Sequence, residues 1–222
     1  MPNYEIMTSS NNDISVNGKA KDALFRSMEL IMKNLQTNMD HLNKPKYFKY
    51  TQEFIELIQN GIKNKRRFFL LASGRSAFII QCFATRLVHL GAKQFIITNT
   101  RSNPAMRDKD ILIILSGSGT TEIVVSLLQS YVNKVKPFGI VSITSHPKTV
   151  IGRMGDITIK LIGRSKRDPV KEVEGDDTAV LTPEGTAFEQ VAFTYLDAII
   201  AELATRLGRT HADMEREHAV AE

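Results

Sequence analysis

Three short segments of the chain carry residue types that capture an anion without a metal. Ala72-Ser73-Gly74-Arg75-Ser76 closes one apolar run, Ser116-Gly117-Ser118-Gly119-Thr120-Thr121 closes another, and Thr144-Ser145 closes a third. Small residues let backbone N–H groups approach a phosphate closely, hydroxyls add donors, and a helix that starts after the loop directs its positive end at the same point. One such cluster is an ordinary turn or helix cap. Three of them, each at the end of an apolar run, point to a shared oxyanion site. Arg75 adds a guanidinium suited to a phosphate or sugar oxygen. The candidate phosphate-binding set is therefore Ser73, Gly74, Arg75 and Ser76, with Ser116, Gly117, Ser118, Gly119, Thr120 and Thr121 from the second loop.

Other chemistries find less support. The chain has no GxxxxGK[ST] phosphate loop, and Glu122 stands where GxGxxG requires its third glycine, so no nucleotide cofactor is expected. Cys82, the one cysteine, lies in the apolar run AFIIQCFATRL and reads as a buried, inert thiol in a reduced compartment. No group of His, Asp and Glu has metal-ligand spacing, so neither metal nor cofactor is expected.

The elements that must position these loops follow from periodicity. Apolar runs at 68–72, 95–98, 111–115, 138–143 and 157–162 are rich in Ile, Val, Leu and Phe with little alternation, as in strands covered on both faces of a parallel sheet. Helix-length segments at 76–90 and 120–132 separate most of them. The order predicts an α/β fold, a doubly wound five-stranded parallel sheet in a three-layer sandwich. Ligands of such sheets bind beyond the carboxyl ends of the strands, where the serine-rich loops lie.

Two helices precede the sheet. One has Leu24, Met28, Ile31, Met32 and Leu35 on a single face, and the other follows Pro45 with Phe54, Ile55, Ile58 and Ile62. A segment at 185–207, apolar nearly all round, predicts a buried helix, with a second subunit as one candidate cover. A short helix from His211 ends the chain. Residues 1–17, rich in Asn, Ser and Asp, read as a mobile tail, leaving 18–222 as one domain.

The net charge of +5, from 29 basic and 24 acidic residues, is modest. The basic stretches at 44–50 and 63–67 read as solvated helix ends, so no nucleic-acid partner is expected. No run approaches the roughly 20 apolar residues of a membrane span, and the first residues lack the pattern of a secretory signal, so the expected location is the cytoplasm with no membrane partner.

The segments LASGRSAFIIQCFATRLVHLGA, DILIILSGSGTTEIV, GIVSITSHP, LTPEGTAFEQ and YLDAIIAELATRLG, in this order, resemble the sugar isomerase (SIS) family. The resemblance implies a small-molecule sugar phosphate as ligand and a homotetramer with active sites near subunit interfaces. It also implies an isomerase that interconverts 3-hexulose 6-phosphate and fructose 6-phosphate through a metal-free cis-enediol. A relative acting on another phosphosugar, such as arabinose 5-phosphate, or a non-catalytic phosphosugar-binding regulator, shares the same loops.

Within that resemblance Glu189, in PEGTAFE at the start of an apolar helix, is the expected base, where desolvation would raise its affinity for a proton toward working pH. His218, near the C-terminus, is the expected second catalytic group, for proton relay or ring opening. His89 reads as a packed residue. His41, His146 and His211 carry no comparable signal.

Overall fold

A computed structural model describes residues 13–97, 103–163, 168 and 178–217. Five parallel strands form one sheet: β1 (Arg67–Ala72), β2 (Lys93–Ile96), β3 (Ile111–Leu115), β4 (Gly139–Thr144) and β5 (Ile157–Lys160), in the order β2-β1-β3-β4-β5. The expected doubly wound α/β architecture is the one observed. Strand order reverses between β1 and β3, so the chain leaves their carboxyl ends toward opposite faces and opens a crevice there.

The central strands have the residues this position demands. Phe68, Leu70 and Ala72 of β1 and Ile111, Ile113 and Leu115 of β3 face one apolar cluster, while Phe69, Leu71, Leu112 and Ile114 face the other. Alternate side chains thus enter separate cores, which is why neither run alternates in polarity. The first core is covered by α2 (Pro45–Lys63), α3 (Arg75–His89) and α7 (Thr186–Arg206), and the second by α4 (Glu122–Val132) and α5 (Val150–Met154). Full burial of each such side chain contributes about 1.5–3 kcal/mol.

The edge strand β2 begins and ends two residues earlier than its apolar run suggests. Its pairing of Arg67 with Lys93 and of Leu70 with Ile96 brings Lys93 and Gln94 into the sheet. An edge strand has one neighbour and partial exposure, so polar residues are tolerated and the apolar signal misplaces its ends.

α1 (Asp13–Leu42) corrects a second expectation and opens within the segment 1–17 that composition assigns to a tail. Its apolar stripe faces the core only in part: Leu35 packs against the first cluster, while Leu24, Met28 and Met32 are more than half exposed. Polar clasps hold the inward side beside Leu35. Ser27 Oγ donates to the Leu181 carbonyl (2.5 Å), Asn34 to the Ala187 carbonyl (2.8 Å), and Asn38 both donates to the Ile162 carbonyl and accepts from the Ile162 N–H (2.7 Å each). These bonds tie α1 to α6 (Thr178–Leu181), to the first turn of α7 and to the chain leaving β5.

Cys82 is a third correction: it is exposed on α3, not buried. The helix packs through Ala77, Ile80, Phe83, Ala84 and Leu87, and Cys82 falls off that stripe. At the amino ends of the strands, Arg66 stacks on Phe138 at 3.7 Å from the ring centroid, and Arg67 clamps Asp110 with two bonds of 3.0 and 2.5 Å. The basic run at 63–67 therefore serves the sheet in part. No described helix is long and apolar enough to cross a membrane. α8 (His211–Glu215) opens with a capping box between Thr210 and Asp213.

Candidate active site

The crevice between β1 and β3 holds a cavity of about 200 Å³. Ser73, Gly74, Arg75 and Ser76 line it from the β1 loop, Ser116, Gly117, Ser118 and Thr121 from the β3 loop, and Gly185, Phe188 and Glu189 from the start of α7. The expected loops thus meet around one space. Gly119 and Thr120 lie off its wall and form the turn behind it. His218 lies outside the described residues.

Three helices, α3, α4 and α7, begin at this cavity, and none has a side-chain hydrogen bond capping its first turn. Each leaves N–H groups without intrahelical acceptors and a partial positive charge at its amino end. α2 and α5 likewise lack side-chain caps, so what distinguishes these three ends is their convergence on one cavity. Three helix amino ends thus direct donors at one space, an arrangement suited to receive an anion.

The β3 loop adds hydroxyls held in a connected set. Ser116 Oγ is 3.1 Å and Ser118 Oγ 3.4 Å from Thr121 Oγ1, and the Thr120 N–H donates to Ser118 Oγ at 3.3 Å. The tight path depends on Gly119, at φ +64°, where a side chain would collide with Thr149: an added Cβ would stand 2.0 Å from its Oγ1. Gly117 and Ser118 amides donate to no acceptor among the described residues, which leaves them for a ligand.

Glu189 supplies the acid, in the first turn of α7 and only 5% exposed. Gly185, at φ +82°, starts the helix, and the Glu189 carboxylate folds back over it so that an added Cβ would lie 3.1 Å from Oε1. The sequence predicts an isolated, desolvated acid; the structure places an ion pair. Arg75 Nε stands 2.6 Å from Glu189 Oε2, off the line of its N–H bond, so the contact is ionic and Oε2 lacks an in-line donor among the described residues. The Arg75 side chain is 56% exposed, which leaves it room to turn toward a ligand without dismantling the core. A second depression shares Arg75 and Glu189 and is bordered by Phe78 and Phe193, both exposed.

His146, given no role by sequence reasoning, sits behind the β3 loop, with its ring against the Gly117 carbonyl and Asp168. Its signal was its place directly after a strand that neighbours β3. His89 and His41 are buried, and His211 is exposed on α8. Among the described residues no three His, Cys, Asp or Glu side chains gather as metal ligands.

Comparison with known proteins agrees with this geometry. The family described as SIS domain matches residues 61–171, which span β1 to β5 and the serine-rich loops. The 3-hexulose-6-phosphate isomerase of Methanocaldococcus jannaschii is 33% identical over 190 residues, 85% of this chain and 90% of its own. Among solved structures, the hypothetical protein MJ1247 from Methanococcus jannaschii, for which a function of 3-hexulose-6-phosphate isomerase has been inferred, superposes with a TM-score of 0.70. It is 27% identical and covers 87% of this chain and 98% of that one. A ligand complex of Escherichia coli CFT073 c3406 has a TM-score of 0.64 at 20% identity over 95% of this chain and 100% of its own, a likeness of fold. Profile, relatives and architecture converge on one conclusion: this chain belongs to the SIS-domain family.

Proposed function

We propose that the chain is a cytoplasmic sugar-phosphate isomerase that interconverts 3-hexulose 6-phosphate and fructose 6-phosphate. The observation that carries this reading is the single cavity in which three uncapped helix ends and a hydroxyl-rich loop surround one buried carboxylate. The phosphate occupies the β1 and β3 loops, held by the free amides of Gly117 and Ser118 and by the hydroxyls of Ser73, Ser116 and Ser118. That anchor places the second and third sugar carbons toward Glu189.

Glu189 removes the proton from C3 of fructose 6-phosphate while the C2 carbonyl oxygen takes up a proton, giving a cis-enediol. Return of the proton to C2, with loss of the hydroxyl proton from O3, leaves the carbonyl at C3. Arg75 leaves Glu189 to meet a substrate oxygen, which frees the carboxylate for the transfer. His218 relays protons or opens the furanose ring. The exposed Leu24, Met28, Met32, Phe78 and Phe193 support a homotetramer, and the last two border the depression that shares Arg75 and Glu189.

Incubation of the purified protein with fructose 6-phosphate in deuterated water, followed by NMR, tests the reading. Appearance of the 3-ketose with deuterium at the transferred position supports it. Absence of both in correctly assembled protein rejects it, and profiling against arabinose 5-phosphate separates the related isomerase. The Arg75–Glu189 pair favours a second reading, a phosphosugar-binding regulator whose acid stays neutralised. In that case fructose 6-phosphate binds and its proton does not exchange.

A further inference from the structure

The Gly117 carbonyl, on the rear of the β3 loop, is surrounded by donors from the loop after β4. The Ser145 N–H donates to it at 3.1 Å and the Thr144 hydroxyl at 3.2 Å, and His146 Nδ1 lies 3.1 Å away. The other ring nitrogen, Nε2, lies 2.8 Å from Asp168 Oδ1. A carbonyl and a carboxylate oxygen only accept, so each contact is a hydrogen bond when the ring nitrogen facing it carries the hydrogen. His146 N–H donates in turn to Thr144 Oγ1 at 3.1 Å, which fixes the ring's backbone to the same cluster.

The Gly117 carbonyl and the Ser118 N–H belong to one peptide unit and point in opposite directions. Both residues line the cavity, and the Ser118 amide has no acceptor among the described residues. We propose that His146, a positioning residue held by Asp168, anchors the Gly117 carbonyl so that the Ser118 N–H is presented to the phosphate of the ligand. A hydrogen bond donated to the carbonyl also polarises the peptide and makes that N–H a stronger donor. His146 touches neither substrate nor reacting atoms. Its effect is on affinity, not on the proton transfer.

This inference rests on the reading of the cavity as a phosphate site. Its test measures kcat and KM for fructose 6-phosphate and the dissociation constant of inorganic phosphate in the full chain, for wild type and for His146→Ala, His146→Gln and Asp168→Asn. His146→Ala raises KM and the phosphate dissociation constant up to about tenfold, the scale of one lost hydrogen bond, and the loss falls on KM and not on kcat. His146→Gln, whose amide still donates to Gly117, recovers part of it. Asp168→Asn weakens phosphate binding by a smaller factor.

Unchanged phosphate affinity in His146→Ala overturns the proposal, as does a loss that His146→Gln shares in full. If His146→Ala fails to fold, His146→Gln and Asp168→Asn decide it by the same measurements. Wild-type protein that binds phosphate without isomerising fructose 6-phosphate defeats the catalytic reading and leaves this one to be judged on phosphate affinity. Wild-type protein that binds no phosphate defeats both.

Discussion

The two ends of the sheet differ in how their polar groups are satisfied. At the amino ends of β1 and β3, Asp110 accepts both arms of Arg67 and the Arg107 N–H, its own carbonyl accepts from the Phe138 N–H, and Arg66 lies flat on the Phe138 ring. At the carboxyl ends, three helices start without side-chain caps, and the Gly117 and Ser118 amides have no acceptor among the described residues. Charge is present at both ends. Where it is matched internally it holds the strands in place, and where helix donors converge on a cavity they are arranged as the proposed phosphate site requires.

The comparison breaks most sharply at the two acids. Glu189→Gln keeps the shape of the cavity and removes the base, so kcat falls by about 10²- to 10⁴-fold while phosphate affinity changes far less. Steady-state kinetics on fructose 6-phosphate alongside phosphate binding reads both. Equal losses in the two would make Glu189 a binding group.

Asp110→Ala strips the opposite end of its shared acceptor and leaves Arg67 partly buried without its partner. Removing one member of a buried pair costs about 3–5 kcal/mol, and the partial exposure of Arg67 puts this case near the lower limit. For a chain of this size that lowers Tm by about 6–12 °C, while kcat and KM measured well below Tm stay near wild type. A drop in kcat comparable to that of Glu189→Gln would mean that the two ends are coupled.

The smallest effect comes from His41, buried where α1 meets the end of β5. Burial above all, then the positive charges of Lys160 and Lys44, holds its imidazole below the ordinary value of 6.5. The unfolded chain therefore takes up a proton below about pH 6.5 that the folded chain resists. The stability that depends on neutral His41 is complete above that pH and declines as pH falls toward the lowered value. Thermal unfolding between pH 7 and 5 shows a shallower acid decline in His41→Gln than in wild type if His41 is responsible, and parallel curves if it is not.

Much of the fold was legible along the chain because central strands carry their own signal. Phe68–Leu71 and Ile111–Leu115 are buried on both faces and could hardly be anything but interior parallel strands. β2 was misplaced because an edge strand is only half buried. The stripe of Leu24, Met28 and Met32 was correctly seen as apolar, yet periodicity reports only that residues share a face. Ser27, Asn34 and Asn38 make tertiary contacts alongside Leu35, through bonds to backbone groups that have no sequence signature.

Local composition determined the small-residue and hydroxyl content of the β1 and β3 loops, which is legible directly along the chain. The register of β3 against β4, pairing Leu115 with Ile143, decided that His146 would meet Gly117. The packing of α7 against α3 decided that Glu189 would be neutralised by Arg75 and not stand alone. Sequence sets which groups a loop can offer, because that depends on neighbours along the chain. Which groups face one another depends on strand order and helix packing, because these bring distant segments within the few ångströms over which hydrogen bonds and ion pairs act.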